Sequence, residues 1–237
     1  MIITNINWNN NSLLELKKYL ESQSKKEKIE WTKKIVNTDY KVLAIPTPIL
    51  NKLAKEMSKT NFKDYLDLKS FDNHEMTVVY GVLIGYLKSF EEFKKYLDIL
   101  VYKIDNWATC DLIPFKNFLD TNKEELFQLG LYYANKEEPF LKRVGLNVML
   151  SYVKEDEYVD KVYALLDQFS NEEHYYVNMM NAWIVSYLFI FNREKTLNYL
   201  ENHKLNKFTI NKAIQKCRDS FRVTKEDKEM LLKYKVK

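Results

Sequence analysis

The sequence predicts an all-α fold, a curved α-solenoid of antiparallel helix pairs with a concave face. Three observations carry this. Turn formers are scarce, with 4 Gly and 4 Pro in 237 residues. An all-β sandwich or barrel would need a turn signal about every 8–12 residues. Apolar residues recur at helical spacing along almost the whole chain. The predicted helices also come in pairs at a near-constant interval. Apolar residues make up 46% of the chain, and Phe plus Tyr number 30, so there is ample surface for a packed core. A disordered or linker-like chain lacks such surface.

The elements follow in order. Leu13, Leu14, Leu16 and Leu20 mark a first helix, with Ser12 as its expected N-cap. Ile29–Val36 forms a second, with Trp31 and Ile35 one turn apart. Thr47 caps a third helix, Pro48–Met57, which opens on proline. Thr60–Asp72 reads as a loop with a short turn. Helix pairs then succeed one another: His74–Tyr86 with Phe90–Ile104, Trp107–Phe118 with Lys123–Tyr133, Pro139–Val153 with Val159–Phe169, and Tyr175–Phe191 with Glu194–Glu201. Thr209 is expected to cap Ile210–Arg218, and Thr224 with Asp227 makes a capping box for the last helix. Each pair spans about 35–45 residues, the interval of HEAT-type repeats. Stacked pairs bury one face against their neighbours and leave a concave side. A globular bundle would give similar local signals; the recurrence favours the solenoid. About five pairs and an N-terminal hairpin account for residues 1–237 as one domain.

Charge is uneven. The net charge is +4, but residues 201–237 alone carry +6. A basic end suits a phosphate-facing surface, though a solvated helix face would look the same. Cys110 and Cys217 lie far apart and outside any CxxC, which disfavours a disulfide framework or zinc site. No signal segment and no long apolar run is found, so the expectation is a cytoplasmic monomer without membrane contact. No metal or organic cofactor is implied.

Standard catalytic and nucleotide-binding motifs are absent: no GxGxxG, GxxxxGK[ST], GxSxG or HExxH occurs. His74, His174 and His203 fall at helix starts or in a loop, where a surface or capping role is simpler than catalysis. Ile104-Asp105-Asn106-Trp107-Ala108-Thr109-Cys110-Asp111 is more informative. Trp107 and Asp111 are i and i+4 on a helix and share a face. Asp is almost never fully buried unless paired. Either Asp105 or Asn106 caps this helix while Trp107 packs inward and Asp111 forms a surface salt bridge, or Trp107 and Asp111 both face a ligand. Arg143 sits in a largely apolar run, and snorkelling, ion pairing or ligand contact are all open to it. Trp183 is either core or contact. Trp107, Arg143 and Trp183 lie 36 and 40 residues apart, each on the first helix of its pair. Aromatics beside a cation suit nucleic acid. A carboxylate there is repelled by phosphate. It makes sense where positive charge develops, as on the sugar of a breaking glycosidic bond.

At these residues the chain resembles the DNA alkylation repair family, the HEAT-like-repeat glycosylases of the AlkC/AlkD type. The resemblance is carried by Asp105–Asp111, Lys142-Arg143, Tyr175-Tyr176-Val177 through Ala182-Trp183, and Asn211–Ser220 with Arg222-Val223-Thr224. Leu43-Ala44-Ile45-Pro46-Thr47-Pro48 adds to it. The resemblance implies excision of cationic N3- or N7-alkylated purines from double-stranded DNA. It implies Asp111 as the catalytic carboxylate and Trp107 and Trp183 as aromatics packed on the lesion's sugar. Arg143 would contact DNA, as would Lys212, Lys216 and Arg218 of the basic end. An aromatic is also expected in the N-terminal helix. Trp31 is the candidate, whereas the spacing to Thr47-Pro48 selects Ile35. The chain departs from the family where a Gly and basic residues usually stand, at Ala44-Ile45-Pro46 and Ile49-Leu50-Asn51, and where Ser186 and Tyr187 replace an Arg. The alternative is therefore a non-catalytic DNA-binding paralogue. A protein-interaction solenoid is a third reading, because fold alone does not fix function.

Overall fold

A computed structural model describes residues 6–237. The reading of the chain's start for a signal segment falls partly outside that range. The described residues are helical and contain no strand. The backbone divides into two compact units, meeting at residues 117 and 118.

The first unit holds α1 (Asn10–Ser22), α2 (Ile29–Val36), α3 (Thr47–Met57), α4 (Phe62–Asp67), α5 (His74–Ile84), α6 (Phe90–Leu100) and α7 (Trp107–Asp111). Asn9, not Ser12, caps α1: its side-chain oxygen accepts from the Asn11 and Ser12 N–H groups, and Ser12 Oγ accepts from Asn9 N. Ser12 thus supplies the reciprocal half of a capping box, three residues inside the helix. The segment expected as a loop contains α4. Helix α7 stops at Asp111 instead of running to Phe118. Pro114 explains this, because it has no N–H and pushes the preceding residue out of the helical region; the chain continues as a 3-10 turn over Phe115–Phe118. Helix α5 packs on α3, α6 and α7. Its buried Met76, Leu83 and Ile84 join Leu53, Ala54 and Met57 of α3 and Phe93, Leu97 and Leu100 of α6 among the unit's core side chains.

The second unit holds α8 (Lys123–Ala134), α9 (Pro139–Leu150), α10 (Asp156–Leu166), α11 (Tyr175–Phe191), α12 (Arg193–Asn202), α13 (Lys207–Asp219) and α14 (Lys225–Met230). Here α9 packs on α8 and α11, and α11 packs on α12 and α13. Asn206, not Thr209, caps α13, accepting from Thr209 N at 2.9 Å; the Thr209 hydroxyl instead donates to Asn178 Oδ1 at 2.8 Å. Thr224 caps α14 through Asp227 N, as its sequence spacing predicts. Within each unit alternate helices touch in sequence: α3, α5 and α7 in the first, α9, α11 and α13 in the second. Among the described residues no helix is long and apolar enough to cross a membrane.

No glycine adopts a positive φ; Asn37, Ala44 and Lys69 do, and Ala44 stands at φ 57°. Ala44 occupies the position where the resembled family usually carries glycine. Its segment is held rigidly, since the Glu75 carboxylate accepts from Leu43 N at 3.0 Å and Ile45 N at 3.3 Å. The left-handed region costs a residue with a Cβ about 1–2 kcal/mol. Glycine removes that cost and loses part of the gain to the freer unfolded chain. Ala44→Gly is therefore expected to stabilise the protein by about 0.5–1 kcal/mol, seen as a higher urea midpoint at unchanged slope; a lower midpoint would mean that the buried methyl outweighs the strain.

Candidate functional site

In the first unit the site is built at the start of α7. Asn106 is fully buried and caps the helix, accepting from Thr109 N at 3.0 Å. Its amide donates to Asp105 Oδ1 at 2.7 Å and to Thr109 Oγ1 at 3.2 Å. Asp105 in turn accepts from the Thr38 hydroxyl at 2.7 Å and from Asp39 N at 2.8 Å. Asp105 and Asn106 thus tie α7 to the end of α2. Trp107 is the first helical residue and Asp111 follows one turn later; both are half-buried. The Trp107 indole N–H donates to the Ile35 carbonyl at 3.1 Å. The structure thereby places Ile35, itself 44% exposed, under Trp107. Trp31, one turn earlier on α2, is 65% exposed. His74 is buried behind the cap, 3.5 Å from the Asn106 amide, and burial holds its pKa below the usual histidine range.

In the second unit Arg143 sits on α9, is 5% exposed, and donates to the Tyr176 carbonyl at the start of α11. Its neighbour Lys142 pairs with Glu172 at 2.7 Å. Trp183 is half-buried on α11 and packs edge-on against Tyr187, with centroids 5.9 Å apart. The Lys216 ammonium from α13 lies 5.9 Å from the Trp183 ring, and Lys212 lies 5.8 Å from Phe208.

Arg218 does not join that group: its guanidinium lies 3.6 Å from Glu229 of α14. Two residues turn a helix by about 200°, so Arg218 and Lys216 leave α13 on nearly opposite sides. Counted along their helices, Trp107 is first on α7, Arg143 fifth on α9 and Trp183 ninth on α11. Cys110 and Cys217 are both buried and form no disulfide, and burial pushes the Cys217 thiol up to about 12.

Three contributors escaped the sequence reading. The Ile35 carbonyl is a main-chain group and leaves no residue-type signal. The Thr38–Asp105 tie joins residues 67 apart, which periodicity does not link. Tyr187, read only as a missing arginine, is an aromatic neighbour of Trp183; the i, i+4 spacing carried that signal.

A half-buried indole and carboxylate on one short, firmly capped helix can stabilise positive charge on a bound group. An aromatic row with cations beside it can hold bases and phosphates. A family model described as DNA alkylation repair enzyme matches residues 16–217. No curated protein and no solved structure matches the chain.

Proposed function

The chain belongs to the DNA alkylation repair enzyme family, and we propose that within it the protein is a DNA glycosylase that hydrolyses the N-glycosidic bond of cationic N3- or N7-alkylated purines in duplex DNA. The carrying observation is that Asp111 and Trp107 share the solvent-accessible side of a helix whose start is pinned by Asp105 and Asn106. A buried Asp111 would have had no access to substrate, and a loosely held one no fixed position.

The chemistry follows from charge. An alkylated purine is already positive, so its bond to C1′ breaks with the electron pair leaving on the base, which departs neutral. No general acid is needed for that step. The sugar becomes an oxocarbenium-like cation, and the Asp111 carboxylate stabilises it. Water then adds to C1′ and gives its proton to Asp111. The indole face of Trp107 offers further electron-rich surface to the cation. On this reading Trp107 and Asp111 serve the reacting nucleotide in the first unit, and Trp183 gives the second unit a DNA-facing aromatic. The contacts among α3, α5 and α7 in the first unit, and among α9, α11 and α13 in the second, support a repeat of helix pairs within each unit. The protein would act as a cytoplasmic monomer, with Lys212 and Lys216 near the phosphates and Arg143 setting the start of α11 through Tyr176.

The purified protein is expected to release N7-methylguanine from methylated duplex DNA, detected as free base. The second reading, a non-catalytic DNA-binding paralogue, is favoured by the burial of Arg143 on a main-chain carbonyl. Tight, salt-sensitive duplex binding with no base released would establish that second reading instead.

A further inference from the structure

Along α11, positions 175, 179, 183, 187 and 191 are Tyr, Met, Trp, Tyr and Phe. All five are partly or largely exposed, Tyr175 at 53% and Phe191 at 36%, on a helix whose other faces are mostly buried. A four-residue step advances about 40° round the helix, so the five form a ridge about 24 Å long that winds round α11, its ends about 160° apart, while Trp183, Tyr187 and Phe191 stay within about 80°. The Trp183 and Tyr187 rings are 5.9 Å apart and the Tyr187 and Phe191 rings 6.2 Å apart. Tyr175 meets the Phe208 ring of α13 at 5.9 Å. A core role does not account for a stripe that solvent reaches.

Cations from other elements stand over these rings. Lys212 lies by Phe208 and Lys216 by Trp183. Arg222 is 6.0 Å from Tyr187 and 5.8 Å from Phe221, which is 92% exposed. Lys154 lies 4.4 Å from Phe191. No ion pair is recorded among the described residues for Lys154, Lys212 or Arg222, so their charge is available to an anionic partner.

We propose that this stripe binds single-stranded DNA, with successive bases against the rings of α11 and phosphates along the flanking cations. A duplex conceals its base faces. Bases in a duplex strand also rise only about 3.4 Å each, so a strand whose bases meet rings 5.9 and 6.2 Å apart is drawn out and unstacked. Ring stacking with adjacent Lys and Arg is how proteins hold single strands without sequence preference. Phe221 projects beside Arg222 as an apolar wedge suited to the point where a duplex opens. The site goes beyond the excision reading and does not need it, since an undamaged strand suffices.

The test is fluorescence anisotropy of the full chain with labelled oligothymidine, with polyglutamate as a competitor. Tyr187→Leu and Phe191→Leu keep apolar bulk and lose the ring; each is expected to weaken oligothymidine binding roughly 10- to 100-fold. Lys212→Gln should reduce the slope of log affinity against log salt by about 0.7. Thermal melts of each variant exclude misfolding as the cause. Parent-like oligothymidine affinity in both leucine variants overturns the proposal. So does equal competition by polyglutamate, which would mark an acidic-protein surface. Oligothymidine contains no purine, so the result is independent of whether the excision assay succeeds.

Discussion

Asp111→Asn is expected to remove base release almost completely while leaving duplex affinity within about twofold. Asparagine keeps the size and shape of the side chain, so the surface offered to DNA is unchanged. What is lost is the negative charge facing the sugar cation and the oxygen that takes the water's proton. Loss of one preorganised electrostatic partner costs about 10²- to 10³-fold in rate, and loss of the proton acceptor adds to it. Binding should hold or tighten slightly, because a carboxylate near phosphates opposes binding. Single-turnover release of N7-methylguanine, measured beside the affinity, separates the two effects. Release at the parent's rate would remove Asp111 from the chemistry.

Asp105→Asn provides the contrast. Asp105 accepts from Thr38 and Asp39 and holds α7 in place, so it acts through position. Its substitution should lower both melting temperature and rate, whereas Asp111→Asn should lower the rate far more than the melting temperature.

The helices were readable because their apolar spacing is long and regular. Ile29–Val36 and Tyr175–Phe191 have in the structure the limits their periodicity predicts. Caps were harder: Ser12 and Thr209 were expected, and in each case an asparagine three residues earlier does the capping. Asn9 caps α1 instead of Ser12, and Asn206 caps α13 instead of Thr209, because the expected residue already has helical geometry and supplies the N–H that is capped. Helix α7 was overextended because periodicity continues past Pro114 although the backbone cannot. At the site, the cost of burying an unpaired carboxylate pointed to an accessible Asp111, and that residue is half-buried beside Trp107. Lys216 and Arg218 were grouped by charge, yet helical geometry alone separates them. Contacts between distant residues, such as Trp107 with Ile35, arise only from the fold.

Glycine scarcity pointed to helices through the lack of turns, and the structure gives those glycines a different task. Gly130 lies within α8 and Gly145 within α9, where the two helices pack. A Cβ on Gly145 would stand 2.2 Å from Ala134 N and 2.4 Å from Gly130 O, both backbone atoms of α8 or its end. No rotamer change relieves such a clash; the helices must separate. Alanine is the better helix former by about 1 kcal/mol, so propensity alone predicts that Gly145→Ala stabilises the protein. Packing predicts the reverse by a larger amount, because overpacking a tight core costs about 1–3 kcal/mol when side chains can adjust and here they cannot. We expect Gly145→Ala to destabilise by at least about 3 kcal/mol in urea unfolding. Gly130→Ala should cost less, since its nearest obstacle is the terminal methyl of Met149 at 2.4 Å. The effect should reach the site, because Arg143 lies two residues before Gly145 and binds the Tyr176 carbonyl from the same helix. A Gly145→Ala midpoint equal to or above the parent's would mean that α8 and α9 do not approach this closely, and the placement of Arg143 would fall with it.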